Sequence, residues 1–100
     1  MKEITVTELA ALDHPAVVDV REQGEYDSGH AEGVQLIPLG QLVQRLDEVP
    51  RTGPVYVVCH LGGRSAQATG FLAAQGIDAI NVVGGMDAWQ RAGLPVSGRA

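Results

Sequence analysis

The chain has 100 residues, of which 45% are hydrophobic and 19% charged, and its formal net charge is −5. This length suits one domain with no room for a second, and the composition excludes a disordered chain. The negative balance argues against a protein whose main work is gripping nucleic acid or an anionic membrane surface, because both tasks need a basic face.

Cys59 is the single cysteine, so the fold does not rely on an internal disulfide or an oxidising compartment. The opening Met1-Lys2-Glu3-Ile4-Thr5-Val6 has no apolar core of signal-peptide length, and no run approaches membrane-spanning length. The expectation is a cytoplasmic protein with an ordered core over about residues 4–97.

In chain order, Ile4-Thr5-Val6 fits a short edge strand. A cap at Thr5 or Thr7 opens a short helix carrying Leu9 and Leu12. Ala16 to Val20 reads as a buried strand ended by Arg21-Glu22, and Gln35-Leu36-Ile37 as a weaker one stopped at Pro38. Leu39, Leu42, Val43 and Leu46 fall at i, i+3, i+4 and i+7, which predicts one face of a helix. Val55 to Val58 is the clearest strand, being β-branched and aromatic. A helix over about Ser65 to Gln75 follows, with Ser65 as N-cap and Gly76 as its stop. Ile80 to Val83 is a further strand closed by Gly84-Gly85. Met86 and Trp89 lie on a last helix ended by Gly93 and Pro95, with a frayed tail from Ser97 to Ala100. Apolar strands alternating with helices predict an α/β fold with a mainly parallel sheet covered on both faces.

Cys59 opens the run Cys59-His60-Leu61-Gly62-Gly63-Arg64-Ser65, between the clearest strand and the helix after it. Amides converge at such a junction, and the positive end of the helix dipole lies there. Gly62 and Gly63 let the backbone turn several N–H groups inward as an anion-binding nest. Arg64 adds a permanent charge and a fork of donors suited to oxyanions, and Ser65 adds a hydroxyl. Thiols housed this way ionise more readily, and the thiolate is the reactive form. Cys59 is therefore a candidate nucleophile, with residues 60–65 as its binding loop.

Three blocks carry a resemblance to a known family. The first is Asp19-Val20-Arg21-Glu22 with Glu25-Tyr26, Gly29-His30, Gly33 and Ile37-Pro38. The second is the loop from Cys59 to Ser65, and the third is Gly84-Gly85-Met86 with Trp89 and Gly93-Leu94-Pro95-Val96. In this order the chain resembles a single-domain rhodanese, thiosulfate sulfurtransferase-like, from about Ile4 to Ser97. The resemblance implies one rhodanese-like domain over residues 1–100, a three-layer α/β fold whose five-stranded, mainly parallel central sheet is flanked by helices. It also implies a double displacement. Cys59 takes the outer sulfur of thiosulfate or a persulfide donor, becomes a persulfide, and passes that sulfur to a thiophilic acceptor, a thiol or an unidentified protein. No metal or organic cofactor is implied. The loop departs from the family pattern at His60, where an arginine is common. A histidine carries part of such a charge near neutral pH, or is simply an exposed side chain.

Cysteine phosphatases and arsenate reductases also run from Cys to Arg at a helix start, but their loop holds one residue more than the four present here, His60, Leu61, Gly62 and Gly63. The shorter loop favours a single sulfur over a tetrahedral oxyanion. A non-catalytic module that uses the same fold for binding or redox sensing is the other alternative. Among the remaining residues, Asp19 and Arg21 are expected to pair with groups elsewhere as fold locks, with shaping the rim of the site as the alternative. His30 is expected to bond backbone in a turn, His14 to be exposed, and Trp89 to join the core. Glu25 and Asp27 are expected to be solvated carboxylates.

Overall fold

The computed structural model describes residues 1–98. Five strands, β1 (Glu3–Ile4), β2 (Ala16–Asp19), β3 (Gln35–Leu36), β4 (Val55–Val58) and β5 (Ala79–Val82), form one sheet. Their order is β1-β5-β4-β2-β3, and every pairing is parallel. The three inner strands are mostly β-branched or small apolar residues buried toward both faces, the pattern of a parallel sheet covered on two sides.

Four helices cover it: α1 (Val6–Ala10), α2 (Gln23–Asp27), α3 (Gly63–Ala74) and α4 (Gly85–Arg91). Val6, Leu9 and Met86 from α1 and α4 pack on Val17, Val58 and Val82 of one sheet face. On the other face, Ala68 and Leu72 of α3 pack with Val18, Val20, Val55 and Val57. The result is a three-layer α/β fold. Because all strands run the same way, the segments after β2, β4 and β5 gather at one edge of the sheet, where open α/β folds place their ligands. Among the described residues, no helix is long and apolar enough to cross a membrane.

Several local expectations are corrected. Residues 39–46 do not form one amphipathic helix. They make 3₁₀ turns at Leu39–Gln41 and Leu46–Glu48, with a short irregular turn between. Gly40 weakens the helix here, and Val43, assigned to the apolar face, is 70% exposed, so no continuous stripe exists for tertiary packing to reward. At the N-terminus, Thr5 caps α1 in a reciprocal box with Glu8, which ends the strand at Ile4 instead of Val6. Ser65 is the third residue of α3, not its cap; Gly62, at φ +116°, holds that position. In the tail, Ser97 is anchored, exchanging backbone hydrogen bonds of 2.9 and 2.8 Å with His30, while Arg99 and Ala100 lie outside the described residues.

The end of β2 is locked by charge. Asp19 and Arg21 are both buried, and the Arg21 guanidinium donates to the Asp19 carboxylate through Nε at 3.1 Å and Nη2 at 2.8 Å. Its remaining donors reach the Glu25 carbonyl at 3.2 Å and the Gly29 carbonyl at 2.9 Å. One side chain thus ties β2, α2 and the turn before His30 together. His30 completes that turn, with Nδ1 2.9 Å from the Tyr26 carbonyl and its ring stacked on Tyr26. Replacing Asp19 by alanine leaves a buried guanidinium without its counter-charge, a loss of about 3–5 kcal/mol for a broken buried pair. Urea unfolding of Asp19→Ala is expected to show that loss as a lower midpoint.

Candidate active site around Cys59

β4 ends at Val58 and α3 starts at Gly63, so the sulfur of Cys59 stands under the first turn of a 12-residue helix. The first amides of a helix have no intrahelical partners. Here they have the sulfur. The Gly62 N–H donates to Sγ at 3.0 Å, and the thiol donates to Ser65 Oγ at 3.3 Å. That hydroxyl donates onward to the Gly62 carbonyl at 3.1 Å. Cys59 is only 1% exposed. Burial pushes its thiol up, but once the proton leaves, the Ser65 hydroxyl turns to donate to the thiolate, and together with the amides of Ser65, Gly62 and Arg64 it outweighs burial and leaves the thiol below its ordinary value.

The loop is also held from behind. The amides of Met86 and Asp87, in the first turn of α4, donate to the carbonyls of Cys59 at 2.8 Å and His60 at 2.9 Å. A trans peptide points its N–H opposite to its carbonyl, so these bonds turn the following amides away from α4. The close approach requires Gly85. A Cβ there would lie 2.3 Å from the Cys59 carbonyl oxygen and 2.6 Å from that of His60. The sequence reading treated Gly84-Gly85 as the end of a strand and missed this role; the signal was a glycine pair directly after an apolar run.

This arrangement surrounds one sulfur with backbone dipoles that favour its thiolate, at the end of a central strand. In comparison with known proteins, the rhodanese-like domain matches residues 5–92. The chain belongs to the rhodanese family. A sulfurtransferase of Allochromatium vinosum is 34% identical over 89 residues, covering 88% of this chain and 83% of the relative. A Bacillus subtilis protein provisionally named as a sulfur carrier is 42% identical over 74 residues; the match takes in 73% of this chain but only 40% of that protein's length. Among solved structures, a rhodanese-related protein from Thermoplasma volcanium superposes with a TM-score of 0.93 at 30% identity, over 98% of this chain and 99% of that one.

Within this rhodanese the loop residues divide in two. His60, Leu61 and Gly63 are exposed, and Gly62, Arg64 and Ser65 surround the sulfur with their backbones. The Arg64 side chain does not face the sulfur with open donors, as its position in the loop had implied. Its Nη1 and Nη2 donate to the two Glu25 oxygens at 2.7 and 2.8 Å. Glu25 is therefore not a solvated carboxylate. The Arg64 hydrogen bonds hold its carboxyl well below the usual range, at about 2, against the opposing effect of burial. The partners are 39 positions apart, and no local pattern marks them. Asp27 does stay exposed, accepting from Gln23 at 2.8 Å.

Two outcomes check this geometry. Gly85→Ala must push the loop carbonyls away from α4 and adopt φ near +55° with a side chain. Thermal unfolding is expected to show a loss of about 2 kcal/mol or more. Ser65→Ala removes the hydroxyl that favours the thiolate, so the Cys59 pKa rises. The pH profile of iodoacetamide alkylation is expected to move to higher pH, with slower reaction at neutrality.

Proposed function

We propose that the protein is a sulfurtransferase whose Cys59 carries the transferred sulfur as a persulfide. The observation that carries this reading is the placement of Sγ at 3.0 Å from the Gly62 amide, under the start of α3, with the thiol held below its ordinary pKa. The thiolate attacks the terminal sulfur of a donor such as thiosulfate or a persulfide. The donor's S–S bond breaks, and its electron pair leaves with sulfite or a thiolate. The extra sulfur on Cys59 is itself an anion, and the same amide-lined turn suits it. A thiol then attacks that outer sulfur and releases Cys59.

The closed loop supports sulfur transfer over phosphoryl chemistry. Cys59 is buried, so a donor must bring its reacting atom into a closed site. A terminal sulfur is a single atom; a phosphoryl group is tetrahedral and needs several donors at once. The guanidinium that would serve such a group lies on Glu25 instead.

Incubation with a donor followed by intact-protein mass spectrometry tests the proposal. The wild type is expected to gain one sulfur atom on the Cys59 peptide, removed by cyanide or a reductant. Cys59→Ser is expected to gain none while its circular dichroism stays native. Equal loading of the variant would remove Cys59 from the reaction.

A further inference from the structure

Resting on the sulfur-transfer reading, we infer that the site selects an organic persulfide, RS–SH, over a dianionic donor such as thiosulfate, and that Glu25 sets this selectivity by holding Arg64. A cavity of about 240 Å³ opens beside the loop, lined by Arg21, Glu25, Ser28, Gly29, His60 and Gln90. Arg21 lies on this cavity, and Arg64 lies outside its lining but is bound to its Glu25; both guanidiniums are paired. Arg21 is buried and engaged with Asp19 and with the carbonyls of Glu25 and Gly29. Arg64 is engaged at both terminal nitrogens by the Glu25 carboxylate, which is ionised throughout the neutral range. Arg64 nevertheless lies within electrostatic reach of the sulfur: Glu25 chiefly, and the Cys59 thiolate to a lesser degree, push its pKa up. Outside the lining, on α4, the exposed Arg91 is paired through Nε with Asp87 at 3.1 Å. The remaining basic group on the cavity is His60, which is not a permanent cation.

A dianion that enters by this cavity must therefore approach the sulfur past two guanidiniums, Arg21 and Arg64, that are both already paired. A persulfide carries at most one charge on its reacting sulfurs. In that step Cys59–S⁻ attacks the outer sulfur of RS–SH, and the RS–S bond breaks. Its electron pair stays on RS⁻, which takes the proton, giving Cys59–S–S⁻ and RSH. Charge and atoms balance with no added oxidant. Glu25 touches none of the reacting atoms and acts through Arg64 as a positioning residue.

The test compares L-cysteine persulfide with thiosulfate as donors, following loading of Cys59 by mass spectrometry and turnover by steady-state kinetics. The wild type is expected to show a kcat/KM at least about tenfold higher for the persulfide, the scale of one charge-assisted hydrogen bond. Thiosulfate matching or exceeding the persulfide in the wild type overturns the inference, whether or not any variant folds. Glu25→Gln frees the Arg64 fork. It is expected to raise the thiosulfate-to-persulfide ratio of kcat/KM about tenfold. It should also make thiosulfate turnover fall with rising salt, as attraction between opposite charges requires. A purely structural Glu25 would slow both donors together and leave the ratio and the salt dependence unchanged, which would overturn the assignment. Failure of both donors to load Cys59 would instead overturn the sulfur-transfer reading itself.

Discussion

The unsatisfied amides at the start of α3 are the constraint from which the rest of the site follows. A helix that begins inside a fold must find acceptors for its first N–H groups, and this chain places a sulfur there. The acceptor is better charged than neutral, so the same geometry that completes the helix end also favours the thiolate. A second helix start completes the arrangement. The first amides of α4 take the carbonyls of Cys59 and His60, and the loop is fixed between two sets of donors with opposite assignments. Gly62 and Gly85 occur where this needs backbone angles or clearances that a side chain forbids.

The parts of this arrangement legible in the sequence were the local ones. The strand from Val55 to Val58, the loop with its glycines, and the helix stopped at Gly76 follow one another within about two dozen residues, so propensity and pattern point to them directly. Asp19 and Arg21, two apart at a strand end, were legible as fold locks but not as each other's partner. What stayed hidden depends on distant partners. Glu25 gives no sign that its carboxylate meets Arg64, and α2 buries none of its residues, so no apolar period announces it. The error at residues 39–46 is of the opposite kind. The spacing of Leu39, Leu42, Val43 and Leu46 is helical, but Leu42 is the one fully buried member and Val43 faces water. Periodicity reports which residues share a face if a helix forms; it does not show that the fold has a surface waiting for that face.

Charge plays a different part from the one an arginine in a cysteine loop first suggests. Arg21 and Arg64 both hold the wall of the site to its neighbours, one buried on Asp19 and the other half-buried on Glu25. Leaving a buried guanidinium such as that of Arg21 unpaired is costly, so this side chain is committed to architecture. The groups that lower the Cys59 thiol are a hydroxyl and backbone amides, with burial working against them.

That balance matters for a sulfur carried in two steps. On the sulfur-transfer reading, Cys59 must first give up an electron pair and later surrender the outer sulfur, so neither state can be bound too tightly. A thiolate stabilised too strongly is a weaker nucleophile, because nucleophilicity falls with basicity. A fixed cation in contact with the outer sulfur would also deepen the intermediate and slow its release. Amide dipoles opposed by burial give a milder stabilisation. With the Arg64 guanidinium held on Glu25, the sulfur stays ionisable, and on the sulfur-transfer reading its intermediate stays within reach of an attacking thiol.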